Sequence, residues 1–114
     1  MISHGDVVWV DFGSPRGSEP AKRRPAVVMQ ENWLLATDIA TVIVVPVTSN
    51  VALEAFPGNV LLSIDASGLG QDSVAVVSQI GPVSREFVEP YAVGHVPSYT
   101  LAKIADGIRL VLGI

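Results

Sequence analysis

The stretch GDVVWVDFGSPRGSEPAKRRPAVVM, residues 5–29, contains two apolar segments joined by a polar loop. Its first part, residues 5–12, is rich in β-branched and aromatic side chains, which is typical of a strand. Residues 13–24 contain Gly, Pro and Ser and almost no apolar side chain, so they predict a loop. Residues 25–31 predict a second strand with Pro25 at its first position, where the missing N–H is tolerated. The stretch therefore predicts a long hairpin.

Further strands are predicted after the hairpin. Residues 41–47, TVIVVPV, are an unbroken apolar run, which predicts a strand covered on both faces. Pro46 near its end indicates a bulge or an edge. Residues 59–65 predict a strand that is followed by a turn. Residues 73–83 predict one bent strand or two, with Gly81 and the proline after it as the corner.

The end of the chain changes to a helical pattern. Apolar side chains recur at helical spacing over residues 98–112, which predicts one long helix with Ser98 as its N-cap. Short strands followed by a terminal helix favour a mostly β fold, a small curled antiparallel sheet or barrel with the helix at its edge. Residues 1–114 are predicted to form one domain. The apolar residues 110–114 leave two interpretations open: burial in the chain's own core, or a homodimer interface.

The composition excludes several kinds of site. The chain has 114 residues and no cysteine, which excludes disulfides, thiolate zinc sites and cysteine nucleophiles. His4 and His95 have no companion His or carboxylate at a ligand spacing, so they predict no metal site, and we expect no cofactor. The N-terminus lacks a signal-peptide pattern, and the longest apolar stretch is too short to cross a bilayer. We therefore expect a cytoplasmic protein that makes no membrane contact.

Positive charge is concentrated in one loop of an acidic chain. The net charge is −4, yet four of the seven Lys and Arg residues lie within residues 16–24. Because phosphate neutralisation supplies most non-specific affinity for nucleic acids, an acidic chain must bind them locally. Arg24 precedes Pro25 and an apolar strand, so its guanidinium is rooted on a rigid element and can be aimed. The loop is either the edge of a polyanion site or a solvated loop whose charges maintain solubility.

Thr48, at the end of the strand 41–47, is the second candidate residue. If that strand lies beside strand 25–31, Thr48 comes close to Arg24; otherwise Thr48 is an ordinary strand-end threonine. RNA cleavage suits so small a set of groups because the ribose 2′-hydroxyl supplies the nucleophile. The enzyme then needs a proton acceptor, a proton donor and cations aimed at the transition-state phosphate. Arginine suits the last task because its planar fork matches two phosphate oxygens.

Four pieces of sequence, in order along the whole chain, carry a resemblance to a known family. They are the stretch 5–29, VVPVTSN with Thr48, DSVAVVSQI at residues 72–80, and the closing helix. Together they resemble the MazF/PemK toxins, the endoribonucleases of bacterial toxin–antitoxin pairs. The resemblance implies an SH3-like barrel with a C-terminal helix, assembled as a homodimer. It also implies metal-independent cleavage of single-stranded RNA at short sequence motifs by 2′-hydroxyl attack, and a cognate antitoxin that blocks the RNA site.

The same resemblance implies roles for individual residues. Arg24 matches the family's catalytic arginine and Thr48 its catalytic threonine, while Ser18 and Glu19 match the GSE motif of a mobile loop. We expect Arg24 to stabilise transition-state charge, Thr48 to hydrogen-bond a phosphoryl oxygen or orient the attacking hydroxyl, and Glu19 to accept the proton. The other expected RNA-binding residues are Ser18 in the loop, Arg16, Lys22 and Arg23 on flanking phosphates, and Ser73 and Gln79 on base edges. Routine strand polarity is the alternative for Ser73 and Gln79.

The aromatic residues divide into two groups by position. Trp9 and Phe12 lie in a predicted strand and are expected in or near the core. Trp33 and Phe56 lie in predicted loops, so they are the candidates for stacking on RNA bases.

Two rival functions keep the same fold. A related barrel fold serves toxins that bind DNA gyrase and cleave no RNA, and these are not expected to need an Arg-Pro pair with a threonine. The other rival is an inactive homologue that only occupies an antitoxin. Fold alone does not choose among the three.

Overall fold

The computed structural model of the chain describes all residues, 1–114. It contains seven strands, β1 (Asp6–Asp11), β2 (Arg23–Val28), β3 (Thr41–Thr48), β4 (Val60–Leu62), β5 (Ser73–Ala75), β6 (Gly81–Ser84) and β7 (Gly94–His95). The α-helices are α1 (Asn32–Leu35), α2 (Ile64–Ser67) and α3 (Ser98–Leu112), and 3-10 turns cover Val51–Ala55, Val77–Gln79 and Arg85–Phe87. The strands form a curled antiparallel sheet in the order β4-β5-β3-β2-β1-β7, with β6 also paired to β3. The predicted fold, a mostly β curled sheet with a C-terminal helix, is confirmed.

β1 and β2 form the predicted hairpin, and they are joined by the loop 12–22, which carries Arg16 and Lys22. β2 begins at Arg23, so Pro25 lies inside the strand rather than at its start. Pro25 lies opposite Trp9 in the hairpin. The Trp9 carbonyl accepts the Glu89 N–H, on the edge of β1 that faces away from β2. The pairing of β2 with β3 begins only at Ala26, so no ladder bond is lost at the proline.

β3 is covered on both faces, as its apolar run predicts, except at the exposed Ile43. The first half of the strand pairs with β6 and its last two residues pair with β5. Pro46 lies where the partner changes, and its carbonyl accepts the Val76 N–H at 2.9 Å. The N–H and C=O of one strand residue face the same edge of the strand. The N–H that proline lacks would therefore face the edge where the partner changes from β6 to β5. Pro46 therefore marks a change of partner strand.

The predicted strand 59–65 is wrong in its second half. β4 has three residues, and the chain then turns into α2. The Ser63 carbonyl accepts the Ala66 N–H at 2.9 Å, and Asp72 Oδ1 accepts the Ile64 N–H at the same distance. These two bonds close a helical turn where the apolar residues alone favour an extended strand.

Residues 73–83 form two strands, and the corner between them lies earlier than predicted. The 3-10 turn Val77–Gln79 joins β5 to β6, and the Gly-Pro pair expected at the corner lies inside β6. Asn59 Oδ1 accepts the first N–H of this turn at 3.0 Å, so a distant side chain stabilises the bend. Gln79 consequently lies on the turn, and the expectation that it shares a strand with Ser73 is wrong.

Two apolar clusters cover the two faces of the sheet, because alternate strand residues face opposite sides. The first cluster, between the sheet and α3, contains Val7, Val27, Val45, Val47, Val60, Leu62, Ala75, Val77, Val96 and Ile104. The second cluster, on the opposite face, contains Val8, Val10, Ala26, Val28, Leu35, Val42 and Val44. Phe12 packs against the second cluster, as its predicted place near the core requires.

α3 covers the predicted residues, Ser98–Leu112, but its N-cap is Pro97 rather than Ser98. Pro97 has extended backbone angles and its carbonyl accepts the Leu101 N–H at 2.9 Å, so Ser98 is already the first helical residue. The helix contacts the sheet through the fully buried Ile104.

The apolar end of α3 is exposed, so burial in the chain's own core is the wrong interpretation. Ile108 is the last residue of the helix that packs against the first cluster. Leu110 is 64% exposed and Ile114 82%. None of the helices is both long enough and apolar enough to span a membrane.

Candidate functional site

Arg24 is held in a defined orientation at the start of β2. Its Nε donates a hydrogen bond of 2.8 Å to the Ala21 carbonyl, and the side chain is partly buried. Arg24 takes part in none of the three ion pairs of the structure, which involve Arg23, His95 and Arg109. Its terminal guanidinium nitrogens therefore keep their charge and donors available for an anion.

Thr48 ends β3, on the strand beside β2. Its Oγ1 accepts the Asn50 N–H at 3.2 Å, which fixes the hydroxyl in the turn that follows the strand. This is the ordinary strand-end role considered for the residue, yet it leaves the hydroxyl proton free to donate. Both interpretations of Thr48, as an ordinary strand-end threonine and as a hydroxyl that contacts the substrate, are thus compatible with this geometry.

The pairing register brings Arg24 and Thr48 together. β2 and β3 are antiparallel neighbours with Ala26 opposite Pro46, and the same register carried two residues further sets Arg24 opposite Thr48. Side chains two residues apart on a strand share a face, so both point to the same side. The sequence predicts that Thr48 comes close to Arg24 only if their two strands are adjacent, and the strands are adjacent.

Arg24 and Thr48 line two adjoining clefts. The first has a volume of about 280 Å³, and its wall includes Trp9, Lys22, Arg23, Pro25, Leu69, Gln71 and Ser73. The second has a volume of about 140 Å³, and its wall includes Ser18, Glu19, Pro20, Leu53, Val76 and Gln79. The two candidate catalytic side chains, together with Val47, therefore form the ridge that the clefts share, and a group bound across both clefts would contact each of them.

The basic loop is attached to the second cleft by Gln79. The Gln79 Nε2 donates a hydrogen bond of 3.0 Å to the Ser18 carbonyl, which ties the loop to the 3-10 turn. Glu19 lines the cleft near this attachment, so the structure brings the proposed proton acceptor to the same cleft as Arg24. The Gln79 amide therefore donates to the loop backbone, rather than to a base.

The remaining predicted residues are placed differently. Lys22 lines the first cleft from a left-handed backbone conformation, with φ of 64°. Ser73 lines it too but is buried, and its Oγ donates to the Gln71 carbonyl at 3.4 Å. Arg16 is exposed in the loop and lines neither cleft.

Arg23 is paired, although the sequence suggests a free cation. Its Nε and a terminal nitrogen lie 2.8 and 2.7 Å from Glu89 Oε2, and its guanidinium carbon lies 4.2 Å from the centre of the Trp9 ring. The sequence does not indicate Glu89 as a partner of Arg23, because the two lie 66 positions apart and nothing in the local sequence of Glu89 marks it. Trp9 lines the first cleft, whereas Trp33 and Phe56, the expected stacking residues, line neither cleft.

His95 has a carboxylate partner that spacing did not reveal. Its Nδ1 lies 2.9 Å from Asp6 Oδ1, because β7 pairs with β1 and brings the two together from opposite ends of the chain. Asp6 is almost completely buried and also accepts the Ser3 N–H. The structure contains no group of three or more His, Asp or Glu side chains arranged to hold a metal ion.

Comparison with known proteins agrees with this geometry. The family described as "PemK-like, MazF-like toxin of type II toxin-antitoxin system" matches residues 3–112. The chain belongs to this family. Among PemK/MazF relatives, Endoribonuclease MazF2 of Mycobacterium bovis is 40% identical over 114 residues, covering 100% of this chain and 99% of the relative.

Solved structures of MazF proteins share the fold. MazF (Form-I) from Deinococcus radiodurans superposes with a TM-score of 0.81 at 24% identity, covering 99% of this chain and 97% of that one. A mycobacterial endoribonuclease solved with its cognate antitoxin gives a TM-score of 0.79 at 19% identity, covering 100% and 97%. The family and the fold expected from the sequence are both confirmed.

Proposed function

We propose that this chain is an endoribonuclease toxin that cleaves single-stranded RNA at short sequence motifs, without a metal ion. The observation that carries the proposal is the shared ridge: Arg24 and Thr48 both line both clefts. A phosphodiester lying across that ridge meets an unpaired guanidinium and a hydroxyl donor at once. The name of the 40% identical relative, an endoribonuclease, supports the same reaction.

The proposed reaction uses the nucleophile of the substrate. The ribose 2′-hydroxyl gives its proton to the Glu19 carboxylate, and its oxygen attacks the adjacent phosphorus. The bond between phosphorus and the 5′-oxygen then breaks, and that oxygen takes up a proton from water. The products are a 2′,3′-cyclic phosphate and a 5′-hydroxyl. Arg24 and Thr48 stabilise the charge that develops on the phosphoryl oxygens, which is the step where fixed donors lower the barrier most.

The proposal extends to partners and location. A structural relative has been solved in complex with its cognate antitoxin, which supports an antitoxin partner for this chain, and we propose that this partner covers the two clefts. The exposed end of α3 and the cleft of about 560 Å³ between α3 and β4 support a homodimer built on that face. The cytoplasm, where single-stranded RNA is available, is the proposed place of action.

The test is incubation of the purified protein with a mixture of single-stranded RNA in the presence of a metal chelator. We expect fragments with defined ends that carry a 2′,3′-cyclic phosphate, and full resistance of a strand whose cut-site ribose is 2′-O-methylated. Intact RNA together with inhibited DNA gyrase would replace the proposal by a gyrase-binding function. Intact RNA and unaffected gyrase would indicate an inactive homologue that only binds an antitoxin.

A further inference from the structure

Arg23 and Trp9 line the first cleft, and Glu89, which lines a neighbouring cleft, is connected to both of them. The Arg23 guanidinium carbon lies 4.2 Å from the centre of the Trp9 ring, and two of its nitrogens contact Glu89 Oε2 at 2.7 and 2.8 Å. The Glu89 N–H donates to the Trp9 carbonyl at 2.9 Å, so the carboxylate is fixed to β1 by its own backbone. Surface ion pairs are usually loose, but here both ends are attached to neighbouring strands and the guanidinium is packed on a ring.

This group borders the candidate catalytic ridge. Trp9 and Arg23 line the same cleft as Arg24 and Thr48. The Arg23 side chain is 57% exposed, so the part that does not contact Trp9 or Glu89 remains open to a ligand in the cleft. A nucleotide next to the cleaved phosphate would therefore meet this surface.

The electrostatic surroundings of Arg23 disfavour a phosphate there. Glu89 neutralises its charge, and Asp11 and Glu86 line a further cleft together with this pair. A phosphate bound to Arg23 would have to displace the Glu89 carboxylate and would approach the neighbouring cleft that Asp11 and Glu86 line. A neutral nucleobase has no such conflict, and the plane of a guanidinium is one of the surfaces on which unpaired bases stack.

We propose that Trp9 and Arg23 form a nucleobase-stacking subsite beside the cleaved phosphate, and that Glu89 is a positioning residue that holds Arg23 in place. The inference rests on the proposed RNA-cleaving function and specifies how that site binds a nucleobase of its substrate. It replaces the expectation that Arg23 holds a flanking phosphate. It also moves base stacking from Trp33 and Phe56 to the cleft itself.

The test compares two uncleavable probes that carry equal numbers of phosphates. One is a mixed-sequence single-stranded 2′-O-methyl RNA oligonucleotide, and the other is an abasic oligomer of the same length. Binding is followed by tryptophan fluorescence in a Trp33→Phe background, where Trp9 is the only remaining tryptophan of two. We expect the oligonucleotide to quench Trp9 and to bind more tightly than the abasic oligomer.

Arg23→Lys separates the plane of the side chain from its charge. We expect this variant to lose about 5- to 150-fold in affinity for the oligonucleotide, as Arg23→Ala does, because lysine offers no plane for stacking. Binding of the abasic oligomer and the slope of log affinity against log salt should stay unchanged. Parent-like affinity in Arg23→Lys, with a weaker salt dependence in Arg23→Ala, would overturn the inference in favour of a phosphate contact.

Lys22→Ala is the matched control, because Lys22 lines the same cleft and has no ion-pair partner. We expect it to weaken both probes equally and to reduce the salt slope by about 0.7, the value for one phosphate contact on a single strand. Glu89→Ala should remove the preference for bases over the abasic oligomer and steepen the salt dependence, since Arg23 is released. An unchanged preference in Glu89→Ala would contradict its positioning role.

Failure of the stacking subsite can be distinguished from failure of the endoribonuclease function. If the parent cleaves RNA but Arg23→Lys and Arg23→Ala retain the full preference for bases, the stacking subsite is wrong and the endoribonuclease function stands. If the parent neither cleaves RNA nor binds either probe, the proposed function itself is wrong.

Discussion

Arg24 and Thr48 show how two residues distant in sequence become one chemical unit. Each is fixed by a backbone group of its own segment, Arg24 by the Ala21 carbonyl and Thr48 by the Asn50 N–H. Each retains donors that no other protein group uses. Fixed donors of this kind need no rearrangement when charge develops on a phosphate, which is why they lower a barrier more than mobile ones.

Thr48→Val removes the hydroxyl and keeps the shape of the side chain. We expect the cleavage rate at saturating RNA to fall by about 10²-fold or more, because one transition-state donor is lost. Stability should change by only about 1 kcal/mol, for the lost bond to Asn50. Thr48→Ser keeps the hydroxyl and should recover most of the rate in the same single-turnover assay. Equal rates for the valine and serine variants would exclude the hydroxyl from the reaction.

At the scale of elements, the sequence predicts what depends on local pattern. The hairpin, the apolar strand β3 and α3 follow from composition and periodicity, and adjacent strands then bring Arg24 to Thr48. The turn after β5 and the helix after β4 depend instead on Asn59 and Asp72, whose side chains bind backbone N–H groups 18 and 8 positions away. The Arg23–Glu89 pair likewise spans the chain, so periodicity does not reveal it.

α3 is docked through a close contact between two backbones. A Cβ added to Gly107 would lie 2.2 Å from the Gly58 carbonyl oxygen, which is backbone and cannot rotate away. We expect Gly107→Ala to lower the free energy of unfolding by about 1–3 kcal/mol in chemical denaturation, the usual cost of overpacking. Helix propensity alone predicts the opposite sign, a gain of about 1 kcal/mol.

Ala102→Gly on the exposed side of α3 is the control for propensity. It should lower stability by about 1 kcal/mol, because glycine is the poorer helix former. A Gly107→Ala protein more stable than the parent would show that the helix does not approach Gly58 this closely.

The molecule as a whole presents an apolar face that its own core leaves uncovered. Leu61, Tyr99 and Leu110 are exposed and line the cleft between α3 and β4. This face lies on the side of the first apolar cluster, away from α1. Exposed apolar side chains grouped in this way are typical of an interaction site, and we propose that a second copy of the chain covers this face.

Leu110→Glu places a further charge on this face. We expect the parent to sediment as a dimer of 12.0 kDa chains and the variant as a monomer, because an unpaired carboxylate buried in an apolar interface is costly. Trp33→Glu is the matched control, since Trp33 is 70% exposed on α1 and lies outside this face. A dimeric Leu110→Glu protein, or a monomeric parent, would contradict the assignment.

The most direct measurement is the single-turnover rate of RNA cleavage by Arg24→Ala, in chelator and at saturating RNA. We expect a loss of about 10²- to 10³-fold, while the free energy of unfolding falls by only about 1 kcal/mol, because the guanidinium acts on the transition state and makes one hydrogen bond and no ion pair in the fold. Arg16→Ala removes the same charge from the loop that precedes β2, and because Arg16 lines neither cleft, this variant should cleave saturating RNA at close to the parent rate. Cleavage by Arg24→Ala within a few-fold of the parent rate would show that the Arg24 guanidinium takes no part in the chemical step.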